Sequence, residues 1–223
     1  MHLSADHNSA LLTVKMGESF IFKHSLLQDH ADFDWPISPP HWAGSPIARV
    51  FNRTYFGMKE VSAIEEDIVV PLRGSHARGN FHAIHLQPYQ RMYVSGHHFV
   101  GWSGDMGSLS THIHFGISFW FLRKHFLPVF TGPGTVLIYS ESSIEESTAS
   151  DFQPQRVIAF DISRRLVAAA PFPRRTASTA INLISDQVFL RFLDPGVTIA
   201  ERHSIESRSG TISIRHFLFH FLM

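Results

Sequence analysis

The chain has 223 residues and no cysteine. That absence excludes disulfides, thiolate metal sites and cysteine nucleophiles together, and it is compatible with a reducing compartment. Excess charge is missing too: Lys plus Arg and Asp plus Glu are both 19, for a formal net charge of zero. Neither the basic surplus of a nucleic-acid binder nor a polybasic membrane-surface segment is present, so no nucleic-acid partner is expected. Long apolar runs are also lacking. The longest candidate span, Ile113 to Leu122, contains His114 and is about half the length a bilayer requires, so no membrane insertion is expected. The opening MHLSADHNSALL has neither the layout of a secretory signal nor that of an arginine-rich presequence, which makes the cytoplasm the expected location. No Gly-Lys-Ser/Thr sequence offers a phosphate loop, and Ser103 in GWSGD lacks the second glycine of a nucleophile elbow.

What is present is strand chemistry. With 44% apolar residues, the chain is long enough for one large all-β domain or a few small units sharing a core. The segment FTGPGTVLIYSES, Phe130 to Ser142, has a counterpart in FLDPGVTIAERHS, Phe192 to Ser204. In each, a phenylalanine precedes a turn tripeptide, Gly132-Pro133-Gly134 or Asp194-Pro195-Gly196, and an extended run follows. Proline pre-sets φ for the second position of a tight turn, and glycine supplies positive φ at the third position of a type II turn. The unit reads as strand, Pro-Gly turn, strand.

Further strands are predicted on either side of Lys15-Met16-Gly17-Glu18, over Ile47 to Phe56, and over Val61 to Leu72 with a turn at Glu65, Glu66 and Asp67. The prolines of Asp34 to Pro46 forbid a regular element there. HLQPYQRMYVSGHHFVGW, His85 to Trp102, reads as two short strands around Ser95-Gly96. HIHFGISFWF alternates apolar and polar residues with period two, as a half-buried strand does. Glu141 to Asp151 is acidic and polar and reads as a connector. FQPQRVIAFDI at Phe152 echoes LQPYQRMYV at Leu86, with Gln87-Pro88 and Gln153-Pro154 66 positions apart and Phe130 and Phe192 62 apart. Residues 1–223 therefore read as a single all-β domain of three related antiparallel sandwich-like units at about 11–72, 81–142 and 152–223.

GHHFVGW at Gly96 to Trp102 and FTGPGTVLIYS at Phe130 to Ser140 resemble segments of the altered-inheritance-of-mitochondria family of bacterial and mitochondrial proteins, long described as a domain of unknown function. The resemblance covers the middle and last thirds of the chain. It implies a repeated β-sandwich similar to that of the tryptophan-activated RNA-binding attenuation protein (TRAP-like), and homo-oligomerisation. It attaches no catalytic residues. The glycine-rich segments common in the family's first and second units are absent here.

Sixteen histidines make metal binding the first chemistry to test. His112 and His114, two apart on a strand, share a face, and His97 with His98 can come from a neighbouring strand. The alternative is that His112, His114 and Ser118 form the polar face of a half-buried strand, since no acid appears before Glu141 to complete a cupin-like set. The pairs His82 with His85 and His216 with His220 read as surface or interface residues, and Arg164-Arg165 and Arg174-Arg175 as exposed strand-end charge. The tail GTISIRHFLFHFLM, Gly210 to Met223, reads as either a core strand or an edge covered by another subunit. The expected function is a non-enzymatic oligomeric β-scaffold or binding protein without a cofactor, with a protein partner as a further option. Two alternatives stand beside it: a histidine-metal enzyme or small-ligand binder built on His97, His98, His112 and His114, and RNA binding by fold analogy.

Overall fold

The structure is a computed structural model that describes residues 2–6, 8–27, 37–38, 58–75, 79–104, 109–113, 126–169 and 189–202. Among them, regular structure is strand apart from two 3-10 turns, His24–Leu26 and Pro154–Arg156. The fold is all-β, as expected. The first stretch holds β1 (His2–Asp6), β2 (Ser9–Val14), β3 (Ser19–Lys23), β4 (Ile37–Ser38), β5 (Met58–Ser62) and β6 (Ile68–Arg73). The second holds β7 (Asn80–Leu86), β8 (Arg91–Val94), β9 (Phe99–Gly104), β10 (Leu109–Ile113), β11 (Phe126–Thr131) and β12 (Gly134–Ser140). The third holds β13 (Ile144–Ser147), β14 (Asp151–Phe152), β15 (Val157–Asp161), β16 (Leu166–Ala169), β17 (Phe189–Phe192) and β18 (Thr198–Glu201).

These strands form four antiparallel sheets, ordered β1-β2-β6 (sheet A), β4-β5-β3-β9-β12-β7 (sheet B), β10-β11-β8-β15-β18-β13 (sheet C) and β14-β17-β16 (sheet D). Each stretch places three strands in one sheet and three in the next. The larger sheets are two such triplets joined edge to edge, at β3 with β9 and at β8 with β15. In the second and third stretches the last strand lies between the first and third strands of its own stretch, β12 between β7 and β9, and β18 between β13 and β15. In the first stretch β6 lies between β2 and a single bridge at Leu27.

Period-two alternation sends neighbouring side chains to opposite faces, so one strand feeds two cores. Val136 and Ile138 pack between sheets B and C with Trp102, Phe99 and Phe130, whereas Leu137 and Tyr139 pack against sheet A with Leu12, Val70 and Leu72. A third core joins Tyr93, Leu127 and Phe160 of sheet C to Leu190 and Phe192 of sheet D. β12 is buried on both faces, which explains why its sequence is a continuous apolar run without alternation.

Several expectations change here. The Glu141 to Asp151 connector contains a strand: β13 pairs with β18 over four residue pairs, and its Glu145 and Glu146 suit an edge position, where charge discourages unwanted pairing. The two strands flanking Ser95-Gly96 exist but lie in different sheets, so the turn is a crossing from C to B. The Gln-Pro echo does not mark equivalent links. Gln87-Pro88 leads from β7 in sheet B to β8 in sheet C, whereas Gln153-Pro154 leads from β14 in sheet D to β15 in sheet C. Proline after an apolar strand end suits any such corner, so the same dipeptide arises at different ones. The predicted strand Ile47 to Phe56, most of HIHFGISFWF, Arg174-Arg175 and the tail lie outside the described residues.

Candidate functional site

The core between sheets B and C ends in a polar patch. On the face that carries Ile138, β12 continues to Ser140; on the face that carries Ile199, β18 continues to Glu201. His98, in the link that crosses from β8 to β9, completes the group. Its Nε2 lies 3.2 Å from Glu201 Oε1, and the two side chains are 18% and 15% exposed. The Ser140 hydroxyl donates to the same oxygen at 2.5 Å, and the Ser142 backbone N–H donates to Ser140 Oγ at 3.1 Å. Arg156 holds the strand end by donating from Nε to the Glu201 carbonyl at 2.6 Å, while its NH2 pairs with Glu145 at 2.8 Å. One carboxylate thus ties a side chain of sheet B and the crossing link to the last residue of β18.

Burial pushes the Glu201 carboxyl upward. The hydrogen bonds from His98 and Ser140, and the charge of His98 when protonated, outweigh that, and the group sits below the ordinary glutamate value. The Ser142 hydroxyl makes no hydrogen bond of normal length but lies close enough to add to the attraction. His98 Nδ1 is buried without a partner among the described residues. A neighbouring pair, His82 Nε2 and Glu146 Oε1, is 3.3 Å apart but lacks the alignment for a hydrogen bond. Ser140 donates to the Glu201 carboxylate and not to the imidazole, so the serine-to-histidine contact of a hydrolase triad is not formed.

Of the four histidines of the metal alternative, the three that are described are not brought together. His97 is exposed, His98 is engaged with Glu201, and His114 lies outside the described residues. His112 sits on β10, where Arg91 donates to its Nε2 at 2.6 Å, which uses the lone pair a metal would need and places a fixed cation beside it. β10 and β18 are four strand steps apart in sheet C, about 19 Å at ~4.8 Å per step. Among the described residues no group of three or more His, Asp or Glu has metal-binding geometry. His85 bonds Thr135 through Nδ1 at 3.0 Å. Ser103 lies within β9 opposite Thr135, away from any strand-to-helix turn.

Sequence reasoning missed two groups. Glu201 lay in the second Pro-Gly segment, but its partner is 103 residues away, and pairing across that distance leaves no local signal. Arg164 was expected to be exposed and is 7% exposed. It bonds the carbonyls of Asp194 and Val197 at 3.1 and 3.2 Å and Thr198 Oγ1 at 2.7 Å, and its guanidinium lies 4.1 Å from the Phe192 ring centre. Arg165 is exposed, as expected, and pairs with Asp194 at 2.9 Å.

No protein-family model matches the chain, and no curated protein does. Among solved structures it is similar to protein SPYM3_0169 from Streptococcus pyogenes, with a TM-score of 0.61 at 15% identity over 95% of this chain and 97% of that one. At that identity the likeness speaks to the all-β fold alone.

Proposed function

We propose that the protein is a non-enzymatic β-scaffold of three related TRAP-like units that self-associates and acts as a binding module in the cytoplasm, and that it is a distant member of the altered-inheritance-of-mitochondria family. The observation that carries the reading is the use made of the polar side chains. His98 and His112, two of the four histidines of the metal alternative, and His85 each tie one strand or sheet to another, through Glu201, Arg91 and Thr135 respectively. Supporting it, the three stretches repeat one distribution of strands over successive sheets.

The test is metal analysis of untagged protein with light scattering on the same sample. A metal-free protein whose mass rises with concentration is the expected result. Stoichiometric zinc, iron or nickel that disappears in His112→Ala/His114→Ala would replace this reading with the metal-dependent one. Retention of RNA that weakens with salt would favour the RNA-binding alternative.

A further inference from the structure

We infer that one end of the molecule docks on a bilayer surface of choline lipids, through turn tips contributed by all three stretches. The inference deepens the binding-module reading above and is independent of self-association. Among the described residues, large apolar side chains are exposed at seven positions, and five of these lie on turns: Met16 and Ile64, Tyr89, and Leu193 with Val197. Register brings the turns of the three stretches to one end. Across sheet B, Gly134 lies opposite Gly104 and Trp102 opposite Ile21, so β12 and β3 both start at that end. Across sheet C, Met92 lies opposite Asp161 and Phe160 opposite Thr198, so β8 and β18 start there as well. From β3 to β12, and from β8 to β18, is two strand steps, about 10 Å at ~4.8 Å per step.

The middle tip is not a by-product of folding. Lys15-Met16-Gly17-Glu18 and Gln87-Pro88-Tyr89-Gln90 are the same turn built twice. In each, the fourth residue donates its N–H to the carbonyl of the first, at 2.9 and 3.0 Å. Its side chain accepts from the N–H of the first, at 3.2 and 3.0 Å. The third residue donates to the neighbouring turn of its own stretch, to the Ala63 or the Gly132 carbonyl, at 2.7 and 3.2 Å. That third residue has a φ of 83° at Gly17 and 65° at Tyr89. Glycine takes this conformation freely, whereas any larger residue meets a steric cost there. Tyr89 is 90% exposed, so packing within the chain offsets none of that cost. The use of the ring lies outside the chain.

Shape and charge decide what the tips meet. Three convex points in a row form no groove, and a rigid partner would need a separate pocket for each. A fluid interface receives them without matching. Tyrosine with aliphatic neighbours is also the side-chain chemistry of the membrane interface. Charge selects the headgroup. Glu65, Glu66 and Asp67 are exposed beside Ile64, while Arg165 is paired with Asp194 and Arg191 with Asp151. Lys15 and Arg91 are exposed near the first two tips, but two separate cations do not make the polybasic patch that anionic lipid attracts. The acids suit the outward quaternary ammonium of phosphatidylcholine, which the face of an exposed tyrosine attracts too. Docking is peripheral, and the few side chains inserted make it weak and reversible.

Flotation of the full, untagged chain with lipid vesicles tests this. With phosphatidylcholine vesicles the wild type is expected to float at low and at high salt, and admixed phosphatidylglycerol should lower the floating fraction. Tyr89→Gly, which suits the positive φ and whose fold circular dichroism checks, should cut that fraction several-fold. Ile64→Ser/Leu193→Ser should do the same at the outer tips. Leu11→Ser, exposed on sheet A instead, should float as the wild type does. Three results would overturn the inference: a wild type that does not float with phosphatidylcholine, one that floats only with phosphatidylglycerol and only at low salt, or tip variants that float as well as the wild type. None of them bears on self-association, which light scattering reads on the same sample.

Discussion

At Glu201 the sequence offers an acid at a strand end, and the fold turns it into a tie between sheets. Its carboxyl lies below the ordinary value of 4.5, so the folded state binds a proton there less readily than the unfolded chain does. The sign follows: the contribution to stability is fully present above pH 4.5 and is lost as pH falls through the lower folded-state value. Thermal melts of wild type should lose stability across that acid window, and Glu201→Gln should flatten the loss. Equal slopes in the two proteins would place the acid sensitivity elsewhere. Glu201→Ala, which leaves His98 and Ser140 without their acceptor, should destabilise by about 1–3 kcal/mol in urea titrations. Arg164 offers a second contrast. Arg164→Ala strands the buried Thr198 hydroxyl and two turn carbonyls, at a cost of about 1–3 kcal/mol. Arg165→Ala removes only an exposed pair and should leave the melting temperature unchanged. Similar losses in both would mean that Arg164 is solvated after all.

Among the elements, the two Pro-Gly turns show what was legible and what was not. Both join the strands that the sequence indicated, β11 to β12 and β17 to β18, because proline and glycine act locally. The glycines play different parts. Gly196 has the positive φ expected of a turn glycine, at 147°, but Gly134 does not, and the Gly132-Pro133 peptide is cis. Gly134 is needed for close approach: a Cβ there would stand 2.5 Å from both the Ser103 carbonyl oxygen and the Trp102 ring. That requirement belongs to β9, which no local pattern could reveal. Gly134→Ala should cost about 1–3 kcal/mol by overpacking, and unchanged stability would show that β9 can yield. The same limit governs the rest. The turns at Lys15 to Glu18 and at Glu65 to Asp67 made β2, β3 and β6 readable, but β13, with two glutamates in four residues, reads as a strand only once β18 is beside it. The histidines were readable as unusual; their partners lie on other strands and sheets, beyond the reach of spacing arguments.

Across the molecule, the joining of triplets decides how the stretches unfold. Trp102 is fully buried in the core between sheets B and C, with ring centres 5.4 Å from Phe130, and its backbone pairs with Ile21 of the first stretch and Val136 of the second. Ile158 and Ile199 of the third stretch line the same core. No stretch can open this core alone without exposing apolar surface of the other two, so loss of one exposes all. Trp102→Ala should cost about 3–5 kcal/mol, and the penalty should fall on the whole transition. Far-UV circular dichroism and 1-anilinonaphthalene-8-sulfonate binding should then report one coincident midpoint in wild type and one lower coincident midpoint in the variant. If the variant instead melts in two separated steps, the stretches are autonomous units that only lean on each other. The edge pairing of β3 with β9 and of β8 with β15 would then contribute register without cooperativity.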